Sequence, residues 1–364
     1  MLSQLLVAFT IEFDNESERQ ILATGSGPRF LVSLSMWSGY LRFVETGGTR
    51  VAELQALARV SPAANASRLR AFSRWRYVTI EPGPRANART FSRDAVVRLT
   101  AKGRTARDIL RPLAAKIENR WEERFGASEI AALRGALERM IHQLGADSLP
   151  SYLPVIGYGM FASVEPPSDA GARRDVEATD LSALLSRVLL AFTLEYEREW
   201  PLSLTIGANL LRVLDEKAVP MRTLPSVAGI SKEAVEVATG FLVKRGYAAI
   251  APDPAAARTN VIRLTADGAR ARDAFRKRLG DIERAWCARY GEEDVRLLRD
   301  SLERLLSSRD GDRLRLSAGL KPSPGGWRGR KPYSAQTAAL IADPIAALPY
   351  HPHVSHRGGW PDGS

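Results

Sequence analysis

Four blocks of this chain occur twice in one order, and a duplication limits the available architectures more than any composition does. Ala8-Phe9-Thr10-Ile11-Glu12-Phe13 returns as Ala191-Phe192-Thr193-Leu194-Glu195-Tyr196. Tyr40-Leu41-Arg42-Phe43-Val44-Glu45 returns as Leu210-Leu211-Arg212-Val213-Leu214-Asp215. Arg98-Leu99-Thr100-Ala101-Lys102-Gly103 matches Arg263-Leu264-Thr265-Ala266-Asp267-Gly268, and Trp121 through Gly126 matches Trp286 through Gly291. The offset falls from 183 at Ala8/Ala191 to 170 at Tyr40/Leu210 and 165 at Arg98/Arg263, so the length changes fall between blocks. A chain of 364 residues is long enough for the two cores this implies.

Each copy predicts the same elements. A helix opens it (184–199 in copy two), followed in copy one by the Gly/Ser-rich stretch 23–28, a helix over Ser33–Glu45 and a helix near Val51–Ala58. Ser61 and Ser231 each precede a helical run and can accept a bond from a free first-turn amide, so they are read as N-caps of helices Pro62–Trp75 and Lys232–Arg245. Alternating apolar stretches Tyr77–Ile80 and Ala95–Leu99, then Tyr247–Ile250 and Asn260–Leu264, flank Pro-, Gly- and Asn-containing turns and read as hairpins. Thr100 and Thr265 introduce a long amphipathic helix, which in copy one carries Leu110, Leu113, Ile117 and Trp121, before a last helix over Ala127–Leu144. Helix, helix, capped helix and two-stranded hairpin make a winged helix with extra flanking helices. The fold class expected is mainly α with small β-hairpins (α+β): two winged-helix-turn-helix domains in tandem with flanking pairing helices. Domain one spans 1–145, a Pro/Gly-rich linker 146–183, domain two 184–308 and a basic, Pro/Gly/His-containing tail 309–364, expected to be flexible apart from a short apolar helix around Ala335–Ala342.

Val97-Arg98-Leu99-Thr100-Ala101-Lys102-Gly103, its twin Ile262 through Gly268, and the step Lys244-Arg245-Gly246-Tyr247 resemble the MarR-type winged-helix transcription regulators over most of 1–145 and 184–307. The resemblance implies a capped helix in the DNA major groove, a wing on the phosphates and helices that pair two modules. It also implies a small effector held between module and pairing helices, near Trp37, Tyr40 and Trp121. Core packing is the plainer role of these three aromatics. Members of that family pair as homodimers; two modules in one chain imply a monomeric pseudo-dimer or a homodimer of such chains.

Charge divides the copies. Between Arg59 and Arg107 twelve basic residues face two acidic ones, whereas 229–272 carries seven against four. With a formal charge of +11 for the whole chain, double-stranded DNA is the expected partner. In copy one Asn65, Ser67, Arg68, Arg70 and Arg74 lie on the capped helix and Arg85, Arg89 and Arg93 on the wing, residue types that reach base edges or phosphates. In copy two Lys232, Lys244, Arg258 and Arg263 are the phosphate candidates, while Glu233 and Glu236 in the same helix repel phosphate. Two reading copies would place half-sites one helical turn apart.

Other chemistries find little footing. No phosphate-cradling Gly-rich loop, His-Glu-x-x-His or Gly-x-Ser-x-Gly occurs, and no enzyme and no cofactor are expected. His351, His353 and His356 crowd a Pro-containing tail, which reads as tail and not as a metal site. The lone Cys287 excludes an internal disulfide and, with no spanning apolar run or leader, leads us to expect a cytoplasmic protein with no membrane partner. The competing class is a winged-helix protein-interaction scaffold that has lost DNA binding, with Glu233 and Glu236 in its favour.

Overall fold

The computed structural model describes residues 1–25, 32–58, 60, 62–81, 91–145, 149, 180–198, 200, 202–215, 217–253, 259–330 and 334–352. It is mainly helical, with three small antiparallel sheets among the described residues. In copy one the elements run α1 (Leu2–Ala23), α2 (Leu34–Gly39), β1 (Thr49–Arg50), α3 (Val51–Ala58), α4 (Pro62–Arg74), β2 (Val78–Glu81), β3 (Val96–Leu99), α5 (Ala101–Leu110), α6 (Leu113–Phe125) and α7 (Ala127–Gln143). Copy two follows with α8 (Leu181–Glu197), α9 (Leu204–Val213), β4 (Val219–Pro220), α10 (Leu224–Ala228), α11 (Lys232–Lys244), β5 (Ala248–Pro252), β6 (Asn260–Leu264), α12 (Ala266–Tyr290) and α13 (Glu292–Ser307). The sheets have matching orders, β1-β3-β2 and β4-β6-β5, because a two-residue strand missed in the sequence joins each hairpin.

The repeated Leu-Thr-x-x-Gly segment has a mechanical reason. Thr100 and Thr265 accept from the amides of Gly103 and Gly268, capping α5 and α12, and their hydroxyls donate back to the carbonyls of Arg76 and Gly246. A Cβ on either glycine would collide with the carbonyl oxygen of Tyr77 or Tyr247, so only glycine lets the helix start press on the hairpin. Ser231 caps α11 through the Ala234 amide at 3.0 Å; Ser61 lies outside the described residues.

Three expected boundaries move. The helix expected over Ser33–Glu45 stops at Gly39, where Tyr40 turns out of helical geometry at φ −153° and sends its phenol inward. The long helix after Thr100 breaks into α5 and α6 at Arg111-Pro112, since proline has no N–H and crowds the preceding turn. Its twin, with Lys277 at the matching place, runs unbroken for 25 residues. Copy two opens at Leu181 and not at 184, because the Asp180 carboxylate accepts from the Ala183 amide.

The same clusters recur inside both copies. Glu12 accepts from the Trp121 indole at 2.9 Å and pairs bidentately with Arg124; Glu195 accepts from Trp286 at 2.6 Å, with Arg289 at 3.7 Å. Between the copies α1 packs on its counterpart α8, and α7 on its counterpart α13. Arg139 bonds Asp294 at 2.9 Å, and Arg304 bonds Glu129 at 2.7 Å. These two pairs exchange positions when one copy is laid on the other, which is how a two-fold interface between identical subunits is built.

The described residues of the tail, 309–330 and 334–352, are folded onto the rest of the chain, and the helix expected around Ala335–Ala342 is one of their elements. They form the hairpin β7 (Arg309–Asp310) and β8 (Arg313–Leu314), then α14 (Ser317–Leu320), α15 (Ser334–Ala342) and α16 (Pro344–Ala347). This strap covers α1, whose residues 3–18 are all buried. Arg328 is buried and donates to Asn15 and Asp14 at 3.1 and 3.2 Å, and Asn15 donates to the carbonyls of Gly319 and Lys321. The strap ends on copy two, where the Asn209 amide clasps the His351 backbone. Buried polar groups on α1 thus find partners three hundred residues away. His353 and His356 lie outside the described residues.

Candidate nucleic-acid interface

Helix α4 is phased by Leu69 and Phe72, which pack inward; Phe72 stacks on Tyr40 with ring centroids 5.7 Å apart. Residues three and four positions away share that stripe. Asn65 therefore points into the core, 2 % exposed, accepting from the Tyr40 hydroxyl and donating to the Val51 carbonyl at 3.4 Å. It is a packing residue and not the outward reader expected from its type. Arg68 is also turned toward the interior, its guanidinium 5.6 Å from the Tyr40 ring centre, and burial pushes it down to about 10. Burial likewise pushes the Tyr40 phenol well above its ordinary range.

The outward face holds Ser67, Arg70, Ser73 and Arg74, all exposed, and the helix has no carboxylate anywhere. Arg74 has no ion pair or side-chain hydrogen bond among the described residues. At the turn from α4 into β2, Arg76 is exposed and sits at φ 62°, the one described non-glycine residue in the left-handed region. Its counterpart in copy two is Gly246 at φ 72°. Holding an arginine where glycine suffices costs about 1–3 kcal/mol, and strain of this kind gathers at working sites. Sequence reasoning counted Arg76 among the basic residues without singling it out; the glycine at the matching place in the twin was the signal.

Other cations in this stretch are engaged internally. Lys102 donates to the Trp75 carbonyl and lies 4.2 Å from the Tyr77 ring centre; burial, then the charge of Arg76, lower its pKa. Arg98 pairs with Glu81 at 2.7 Å, Arg104 donates to the Leu99 carbonyl and Arg107 to Thr46. Arg93 is exposed where the chain returns toward β3. Arg85, Arg89 and Arg258 lie outside the described residues. In copy two Lys232, Lys244 and Arg263 are exposed; Lys232 has Glu236 at 3.8 Å.

Trp37, Tyr40 and Trp121 are buried core residues, with Trp121 fully enclosed between Phe9 and Phe125. A cavity of about 900 Å³ lies elsewhere. It sits between the β7–β8 hairpin, α14 and α15, against Arg124, Arg315, Lys321, Leu314 and Ile341. Among the described residues no three His, Cys, Asp or Glu side chains converge to hold a metal ion, and no helix is long and apolar enough to cross a membrane. No family model, curated protein or solved structure matches this chain.

Proposed function

We propose that this chain is a sequence-specific DNA-binding regulator of transcription, built as a fused pseudo-dimer of two winged-helix modules of the MarR type. In this reading α4 enters the major groove, Ser67 and Arg70 reach base edges, and Arg74, Arg76 and Arg93 hold backbone phosphates. The observation that carries it is the outward face of α4: exposed hydroxyls and guanidinium groups on a helix without a single carboxylate. The α7–α13 and α1–α8 contacts do within one chain what dimerisation does between two. A gel-shift titration on random-sequence duplex at about 50 mM salt tests the reading, since phosphate contacts alone give measurable non-specific affinity there. Binding is expected, and its absence contradicts the proposal.

The second reading, a protein-interaction scaffold that kept the fold and lost DNA contact, is favoured by copy two. Its surface carries Val227, Val243 and Ile250 at 46, 39 and 42 % exposure. All the large exposed apolar side chains among the described residues lie in copy two or at the strap end resting on it. The same titration separates the two readings.

A further inference from the structure

We infer that the duplex taken by this chain is asymmetric, read at its bases by α4 over a single half-site and not read by α11 at the other. The inference rests on the DNA-binding reading above. Laying α11 on α4 at the offset of 170 that joins Tyr77 to Tyr247 pairs every outward position. Arg70 meets Gly240 and Ser67 meets Val237, so the two side chains best placed to reach base edges are replaced by a hydrogen atom and an isopropyl group. Ser73 meets the exposed Val243. Ala63 and Ala66 meet Glu233 and Glu236, both exposed, which bring negative charge to the end of the helix that would enter the groove. Carboxylates there favour the helix dipole and repel phosphate. Of the cations on this face only Lys244 matches Arg74, while Arg76 gives way to Gly246.

The strap adds a second, independent observation. Its helix α16 packs on α10, and the Ala347 carbonyl closes on Gly229, in the left-handed turn that leads to the Ser231 cap of α11. Tyr350, also exposed, lies over the Arg212 guanidinium at 4.1 Å, while Arg212 donates to the Val227 carbonyl at 3.2 Å. The strap thus abuts the turn that leads into α11, on its α10 side. The two-fold pairs Arg139–Asp294 and Arg304–Glu129 hold copy two as they hold copy one. Its face is therefore set apart from that of α4 by its side chains, not by its place in the molecule.

Selection of the full chain on a random duplex pool, with hydroxyl-radical footprinting of the winners, tests this. The expected motif has no internal two-fold, and its sequence information falls in the half protected by copy one. Lys232→Ala with Lys244→Ala leaves the selected motif unchanged, whereas Arg70→Ala alone weakens the selected site by roughly tenfold or more. An inverted repeat with equal information in both halves overturns the asymmetry while leaving the DNA reading intact. Failure to bind random or selected duplex overturns the DNA reading and this inference with it.

Discussion

The pairing helices of this molecule and the pair α4 and α11 have diverged to different degrees. On the pairing helices the same residue types recur in the same places: the carboxylates Glu12 and Glu195 accept from the indoles of Trp121 and Trp286, with Arg124 and Arg289 beside them. Behind α4 and α11 they do not. The buried set Tyr40, Asn65 and Arg68 corresponds to Leu210, Val235 and Ala238, all buried and apolar. One scaffold therefore closes over either a polar or an oily interior at the same three places. The scaffold does not require the polar set, because its twin closes over apolar side chains at the same places. Buried polar groups kept at some expense in stability serve specificity when they serve anything.

The equivalence of the pairing region predicts the largest effect. Trp121→Ala and Trp286→Ala each lose about 3–5 kcal/mol of stability in chemical denaturation, with similar values in the two copies. A loss confined to one tryptophan breaks the equivalence. Transplanting the oily interior comes next. Tyr40→Leu, Asn65→Val and Arg68→Ala together change stability by no more than about 1 kcal/mol, whereas Tyr40→Leu alone costs about 2 because the Asn65 amide loses its partner. If the triple variant is as damaged as the single one, the polar set is structural after all. Arg76→Gly leaves stability level or raises it by about 1 kcal/mol, by relieving the left-handed arginine. It also lowers the salt dependence of DNA binding by about one phosphate. The smallest effect belongs to the strap end. Burial, then the positive charges of the amino terminus and Arg212, hold His351 down to about 3 against its ordinary 6.5. The docked imidazole stays neutral while the released one takes a proton below 6.5, so docking is intact above that pH and weakens as pH falls toward 3. Hydrogen exchange of 345–352 at pH 7 and pH 5 reads this out, and His351→Gln removes the dependence.

Much of the architecture was legible in local chemistry. The Ser231 cap and the helix starts at Thr100 and Thr265 are decided within a few residues of themselves. What escaped depends on phase and on distance. Asn65 and Arg68 look like readers by type, but Leu69 and Phe72 fix the inward stripe, and 65 and 68 fall on it. The break at Pro112 was written in the chain and overridden by the apolar periodicity that continues across it. The strap reads as a loose basic tail because its partners, Asp14 and Asn15, are at the opposite end of the sequence. Only a folded chain brings Arg328 to them.

Salt titration of binding to random duplex, for the parent chain and for Arg70→Ala with Arg74→Ala, goes to the heart of the matter. In the proposed reading three arginines (74, 76 and 93) hold phosphates and predict a slope of log affinity on log salt of about −3, falling to about −2 in the double variant, which removes one of them. Equal slopes, or a parent chain that ignores duplex at about 50 mM salt, would show that the arginine face of α4 does not meet DNA.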